Sequence, residues 1–362
     1  MNRFSSDKQK DKQIKHIPVC FLLTCGGGPG ILAQVEALRT SKKYKARIIL
    51  ADANPASGNL FLPEVDARYH IPECTSDNFI PSLLRLIENE KVDFIYSGLD
   101  EEIPILAKNR ALIEDKNCML LLPSEQALKT ALDKKETFHV LEDRVLQPKT
   151  FFLNGLVDYG KIYNELSGRV VIKITSSRGG RDIYFPEDVE EYEFYLRKAE
   201  KMNKERKCEY MIQEVIEGDE YNITTLHDLE GKLIYSFSRR KFEKRKIKST
   251  TTAAVIETQT DVVEQALAAI EVLKLKPGFN NVEVICSRKD SKPYFIEVNG
   301  GRTAAQDMNV VAAGVNITDL MIDILRRESV EPIDDIQQGI ASLKIRKDVI
   351  VNYSDITSVA RP

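Results

Sequence analysis

The run Val19-Cys-Phe-Leu-Leu-Thr24 breaks at Cys25-Gly-Gly-Gly-Pro-Gly30, and Ile31-Leu-Ala-Gln-Val-Glu-Ala-Leu38 follows with its apolar residues at helical spacing. Strand, tight loop and helix in that order commit the chain to a parallel sheet with helices on its faces, since a parallel strand needs a crossover to return. The pattern recurs where Arg47-Ile-Ile-Leu-Ala51 meets Asp52-Ala-Asn-Pro55. It recurs again where Val92-Asp-Phe-Ile-Tyr96 precedes Ser97-Gly-Leu-Asp-Glu-Glu102 and a helical stretch around Ile105 to Leu112. Cys118-Met-Leu-Leu-Leu122 reads as the last strand of this unit. Pro123 and Ser124 then open a helix through Leu132, which sets a domain boundary near Pro123.

Beyond that boundary the texture changes. Val170-Val-Ile-Lys-Ile174, Tyr210-Met-Ile-Gln-Glu-Val215, Glu220-Tyr-Asn-Ile-Thr-Thr-Leu226 and Leu233-Ile-Tyr-Ser-Phe-Ser238 read as strands with helices between them, an α+β pattern. Residues Asp188 to Lys207 form a charged, solvated helix, and Asp261 to Leu273 an amphipathic one that packs on a core. In 362 residues, 43% hydrophobic and 30% charged, there is room for two or three domains. The net charge of −3 argues against a dedicated nucleic-acid binder and for small-molecule partners. Six scattered cysteines without a Cys-x-x-Cys pair fit a reducing cytoplasm. Residues 1–17 are polar and read as a tail, neither signal peptide nor membrane anchor, and no later run is long enough to span a bilayer.

Four sets of residues invite chemistry. Asn281-Val-Glu-Val-Ile-Cys286 and Tyr294-Phe-Ile-Glu-Val-Asn299 read as the arms of a hairpin with its turn at Arg288 to Lys292. Pairing about Asp290 sets Glu283 opposite Glu297, roughly 5 Å apart. Such a pair requires a protonated carboxyl, a cation that neutralises both, or a different register. Asn299 adds a neutral oxygen, and the three suit a hard cation such as Mg²⁺ as well as they suit a solvated acidic face. Lys173 interrupts an apolar strand and leads into Thr175-Ser-Ser-Arg-Gly-Gly180; it is either a phosphate ligand below a closing loop or an edge-strand lysine with its head in water. Gln213-Glu-Val-Ile-Glu-Gly-Asp-Glu220 offers an exposed backbone for an adenine edge and Glu220 for ribose hydroxyls. Ser238-Arg-Arg-Lys-Phe-Glu-Lys-Arg-Lys-Ile-Lys248 reads equally as a solvated face or as a mobile loop that draws in an anion. The loop Cys25–Gly30 departs from Gly-x-Gly-x-x-Gly and is read as structural or substrate-side; Asp52 either binds a ribose or caps its own turn.

In this order and spacing the motifs resemble the ATP-grasp superfamily, in its carbamoyl phosphate synthase large subunit-like branch, from about Pro18 to Arg327. The resemblance implies a Rossmann-like pre-ATP-grasp domain over residues 18–123. A two-lobed α+β ATP-grasp domain over 124–330 would follow, with a mobile lobe at about 168–216 and a C-terminal extension over 331–362 that completes the domain or mediates homodimer contacts. It makes Lys134 and Lys173 phosphate ligands, with Lys135 in place of Lys134 if the register shifts. Ser176, Ser177, Gly179 and Gly180 become the glycine-rich lid, Glu214, Val215 and Ile216 the adenine hinge, Glu220 the ribose ligand, and Glu283, Glu297 and Asn299 the Mg²⁺ (or Mn²⁺) site. The family's Glu-x-Asn-Pro-Arg is here Asn299-Gly-Gly-Arg302, which moves the catalytic arginine one residue later. A single ATP-grasp unit excludes a complete carbamoyl phosphate synthase.

The activity so implied is an ATP-dependent carboxylate–amine ligase working through an acyl phosphate. Its rivals are a carboxylate kinase without an amine acceptor, a nucleotide-binding regulator without turnover, and more distantly a nicotinamide dehydrogenase. His16, His70, His139 and His227 are not paired in sequence with a serine or cysteine, so hydrolase chemistry lacks support.

Overall fold

A computed structural model describes residues 16–153, 159–175, 182–206, 209–244, 251–345 and 347–362. The predicted lid residues Ser176, Ser177, Gly179 and Gly180 fall outside these ranges. Strands β1 (Ile17–Thr24), β2 (Tyr44–Asp52), β3 (Ala67–His70) and β4 (Phe94–Ser97) form a parallel sheet in the order β3-β2-β1-β4. Asp52 caps its own turn: its carboxylate accepts from the backbone of Gly27 and Asn54, each at 2.7 Å. That holds the glycine loop against the second strand.

Two predicted elements of this unit change form. Residues 118–122 make only a bridge, Met119 to Phe94, instead of a full strand. The Arg110 guanidinium takes the Leu120 and Leu122 carbonyls at 3.0 and 2.7 Å, and Pro123 lacks the N–H to extend a ladder. The helix expected around 105–112 divides into Ile103–Lys108 and Arg110–Glu114, because the Asn109 side chain bonds back to Ile105 O at 2.8 Å and ends the first.

A small antiparallel sheet follows, made of β5 (Thr150–Phe152), β6 (Val170–Ile174), β7 (Ile183–Tyr184) and β8 (Tyr210–Glu214) in the order β5-β8-β6-β7. Along β6, Val170, Ile172 and Ile174 join Ile162, Tyr192 and Leu196 in a core of its own under the helices Tyr159–Glu165 and Val189–Arg206. Strand alternation therefore turns Val171 and Lys173 to the opposite face.

The third sheet contains β9 (Gly218–His227), β10 (Leu233–Lys244), β11 (Thr251–Ile256), β12 (Gly278–Ser287), β13 (Pro293–Gly300) and β14 (Ala341–Leu343), ordered β13-β12-β9-β10-β11-β14. Tyr221, Ile223, Val282, Val284, Phe295 and Val298 pack against the helix Thr260–Leu273, in a core that also contains Leu22, Ile49 and Ile95 of the parallel sheet. The opposite face is polar around Asn222, Thr224, Arg239, Lys241, Asn281 and Glu283, whereas Leu226, Tyr235, Phe237 and Phe279 of the same face join a second core with Phe21 and Leu23 of the parallel sheet. The expected strand at 340–345 contracts to β14 and serves as the sixth strand of this sheet. Ala360 then bridges back to Tyr69. Among the described residues no helix is long and apolar enough to cross a membrane.

Candidate active site

Glu283 pairs directly with Glu297 across β12 and β13, and Asn281 with Asn299. Nearer the turn the expected pairing about Asp290 fails: Val284 faces Phe295, which leaves Ile296 as an extra bulged residue. The reason lies in the core. Phe295 and Val298 are both buried in it, and residues three apart share a face only if one between them is bulged. The bulge thus leaves Glu297 and Asn299 on the polar face while the turn end keeps its own register.

Each acid of the pair has a cation. Lys134 Nζ lies 3.5 Å from Glu297 Oε2, and Lys241 Nζ lies 2.7 Å from Glu283 Oε1 and 3.7 Å from Glu220 Oε2. Lys134 is set by helix Lys134–Val140, where the Asp133 side chain accepts from the N–H groups of Lys135 and Glu136. The N–H of Lys134 donates to Thr175 O at 3.0 Å, which ties this helix to the end of β6 and brings Lys134 beside Lys173. Lys173 is 5% exposed on an inner strand, so its reading as an edge lysine with its head in water fails. Lys135 points elsewhere and pairs with Glu209 at 2.9 Å.

Burial, with Lys134 next to it, pushes the Lys173 ammonium down to about 7 against the pull of Glu297 and Glu283. Burial would lower Lys241 too, but Glu283 and Glu220 outweigh it and hold that lysine above its ordinary value. Glu283 is raised, first by burial and then by its acidic neighbours, against the charge of Lys241. Arg302 donates from Nε and Nη2 to both oxygens of Asp100, at 2.6 and 2.8 Å. Its Nη1 donates to Thr303 O at 3.1 Å. Glu214 ends β8, and its N–H and carboxylate bond to the Lys149 backbone. Val215 and Ile216 are half-buried in the link to β9, and Val215 N–H donates to Arg169 O at 3.2 Å.

The donor set fits a divalent cation that arrives with phosphate oxygens. It offers two carboxylates on facing strands, Asn299, and the Asn281 side-chain oxygen, which is buried with no hydrogen-bond partner. Among the described residues no cluster of three or more His, Cys, Asp or Glu forms an all-protein metal cage.

Residues 131–305 match the ATP-grasp domain family, and residues 22–121 match the PylC-like N-terminal domain family. The chain carries an ATP-grasp domain. A tyramine–L-glutamate ligase of Methanocaldococcus fervens is 24% identical over 216 residues, a match that spans 59% of this chain and 60% of that relative's length. Biotin carboxylase from Campylobacter jejuni, solved as a β-γ-ATP complex, superposes with a TM-score of 0.66 at 20% identity over 85% of this chain and 71% of its own. An L-amino acid ligase from Bacillus licheniformis gives 0.63 at 16% identity, over 87% and 77%. At these identities the two structures establish the shared fold.

Sequence reasoning missed three groups. The basic run was expected as a loop or solvated face, but residues 239–244 continue β10; 245–248 lie outside the described residues. Arg239 is fully buried and pairs with Asp307 and Asn222, and Lys241 is buried against Glu283. The signal was period-two alternation: Arg239 and Lys241 face inward, while Arg240 and Phe242 are half-buried and exposed. Asn281 and the Arg302 partner Asp100 were likewise not singled out.

Proposed function

We propose that this chain is an ATP-dependent carboxylate–amine ligase. The observation that carries the reading is the opposed pair Glu283 and Glu297 with Lys241, Lys134 and Lys173 around it, a cluster of carboxylates and ammonium groups with the chemistry to take a polyphosphate and its metal. An ATP-grasp domain, a relative named as a tyramine–L-glutamate ligase and a structural neighbour named as an L-amino acid ligase support the same class.

Lys134 and Lys173 hold the phosphates by charge, and Glu220 with the 214–216 segment holds the nucleoside end. Glu283, Glu297 and Asn299 would hold Mg²⁺ or Mn²⁺, which would supply neutralisation of charge on the phosphate oxygens. A substrate carboxylate oxygen forms a bond to the γ-phosphorus as the bond to ADP breaks; an amine then forms the C–N bond to the acyl carbon, and phosphate leaves with the C–O pair. Lys241 lies beside Glu283, where it offsets the charge of the acids and of the phosphoryl group in transit. Arg302, fixed by Asp100, steadies the acyl phosphate. Positioning and charge neutralisation do the work, and a side-chain nucleophile is not required.

The test is release of ADP and phosphate with Mg²⁺ and pairs drawn from amino acids, small carboxylic acids and amines. Turnover that requires both a carboxylate and an amine is the expected result. Phosphate release with carboxylate alone at the full rate would make the protein a kinase, and a Mg²⁺-supplied protein that never binds ATP would end the reading.

A further inference from the structure

The polar face that carries the carboxylates continues past Arg239 and Lys241 to the edge of the large sheet. Ala254 pairs with Lys241 on one side and with Ser342 on the other, and Lys344 donates its N–H to Thr252 O at 2.8 Å. Strand alternation then sets Thr252, Ser342 and Lys344 on the same face as Lys241. This corner holds unusually many unsatisfied groups. The hydroxyls of Thr252 and Ser342 and the Nε of fully buried Arg239 are shielded from water without a hydrogen-bond partner. Helix Met308–Ala312 packs on β11 and β14 and contributes Asn309, 1% exposed, neither of whose carboxamide atoms is partnered. Buried polar atoms are rarely left so, and a group of them on converging elements marks a place for a polar ligand.

Its sign follows from Lys344. That ammonium is half-buried, and the charges acting on it are those of Arg239 and Lys241, both positive. Burial first, and those two cations second, push it below its ordinary pKa. Arg239 has Asp307 and Lys241 has Glu283, whereas among the described residues no carboxylate acts on Lys344.

We propose that this edge of the sheet is a carboxylate subsite, in which Lys344 supplies the charge and Thr252, Ser342 and Asn309 supply neutral hydrogen bonds. One ammonium balances one negative charge, which suits a carboxylate better than a phosphate dianion. The subsite lies two strand spacings, about 10 Å, from Lys241. It therefore holds the substrate end that is not phosphorylated and selects an amino acid or other acid with a second anionic group. This assignment rests on the ligase reading.

Thermal shifts separate the two. Wild type, Lys344→Met and Lys344→Arg are each titrated with Mg·AMP-PNP, then with the twenty L-amino acids or inorganic phosphate, with and without nucleotide. All three proteins are expected to gain equal stability from Mg·AMP-PNP, which also reports that they are folded. At least one amino acid is expected to stabilise the wild type further, with its apparent Kd raised ten-fold or more in Lys344→Met and largely restored in Lys344→Arg. Unchanged amino-acid binding in Lys344→Met, no amino acid binding to the wild type, or inorganic phosphate binding more tightly through Lys344 would each overturn the subsite. Absence of a Mg·AMP-PNP response in the wild type would instead overturn the ligase reading on which the assignment rests.

Discussion

On the large-sheet wall of the cleft each of two buried cations meets an anion: Lys241 lies 2.7 Å from Glu283, and Arg239 pairs with Asp307. On the small-sheet wall Lys173 is as deeply buried, but Lys134 lies beside it and drives its pKa down along with burial. At those two cations the first wall is electrostatically complete without ligand. The second becomes complete only when a polyphosphate supplies the missing charge, so the two walls should respond oppositely to mutation.

The largest effect is expected from Lys241→Met, which leaves Glu283 and Glu220 near each other without their shared cation. It should lower kcat/KM by about 10²–10³-fold and also lower the melting temperature, because a broken buried pair strands a charge. Steady-state kinetics and calorimetry check both. Lys173→Met should lower nucleotide affinity comparably, yet raise the melting temperature of the ligand-free protein at pH 6 to 7. A stability loss as large as that of Lys241→Met would erase the contrast between the walls.

The next effect concerns protons. The folded Lys173 pKa of about 7 lies below the unfolded value, so between about pH 7 and 10.5 the unfolded chain binds more protons and this group makes stability rise with pH. Nucleotide binding should restore the charge and take up about half to one proton at pH 8, with uptake fading by pH 6. Isothermal titration in buffers of different ionisation heat measures it, and Lys173→Arg should abolish it.

Asp100→Asn should be milder, lowering kcat several-fold with little change in KM for ATP, since it loosens the Arg302 clamp and leaves the phosphate lysines alone; separate kcat and KM values decide. The smallest change is expected at Glu102, in the parallel-sheet unit, where burial outweighs bonds from Thr24 and Ser97 and raises the carboxyl to about 7. Its contribution is complete below pH 4.5 and is lost as pH rises through 7. Glu102→Gln should therefore flatten that stretch of the stability curve, as urea titrations at several pH values would report.

Much of the parallel unit was legible because apolar strands, a glycine turn and helical spacing agree locally from Val19 to Leu38. The facing of Glu283 and Glu297 was legible too, although the hairpin keeps no symmetry about Asp290: its turn end pairs one residue off, and an extra residue in β13 restores the pair. The bulge at Ile296 was not, because it answers to which residues the distant helix Thr260–Leu273 can bury. Lys241 was hidden inside a run of charges whose composition suggested solvent, and only the acids of β9 and β12, non-local in sequence, make its burial tolerable. Arg110 similarly claims carbonyls that a strand reading of 118–122 assigned to a neighbour.

The distribution of apolar packing has a further consequence. Core residues of the parallel sheet and of the large sheet intermingle, whereas β5 to β8 and their helices build most of a separate cluster, with only Met211 and Phe152 reaching the first core. Such partitioning makes two cooperative folding units out of three sheets. The ligand-free protein should melt in two calorimetric steps, and Mg·AMP-PNP, bound as proposed between Lys173 and the Glu283–Glu297 pair, should fuse them into one.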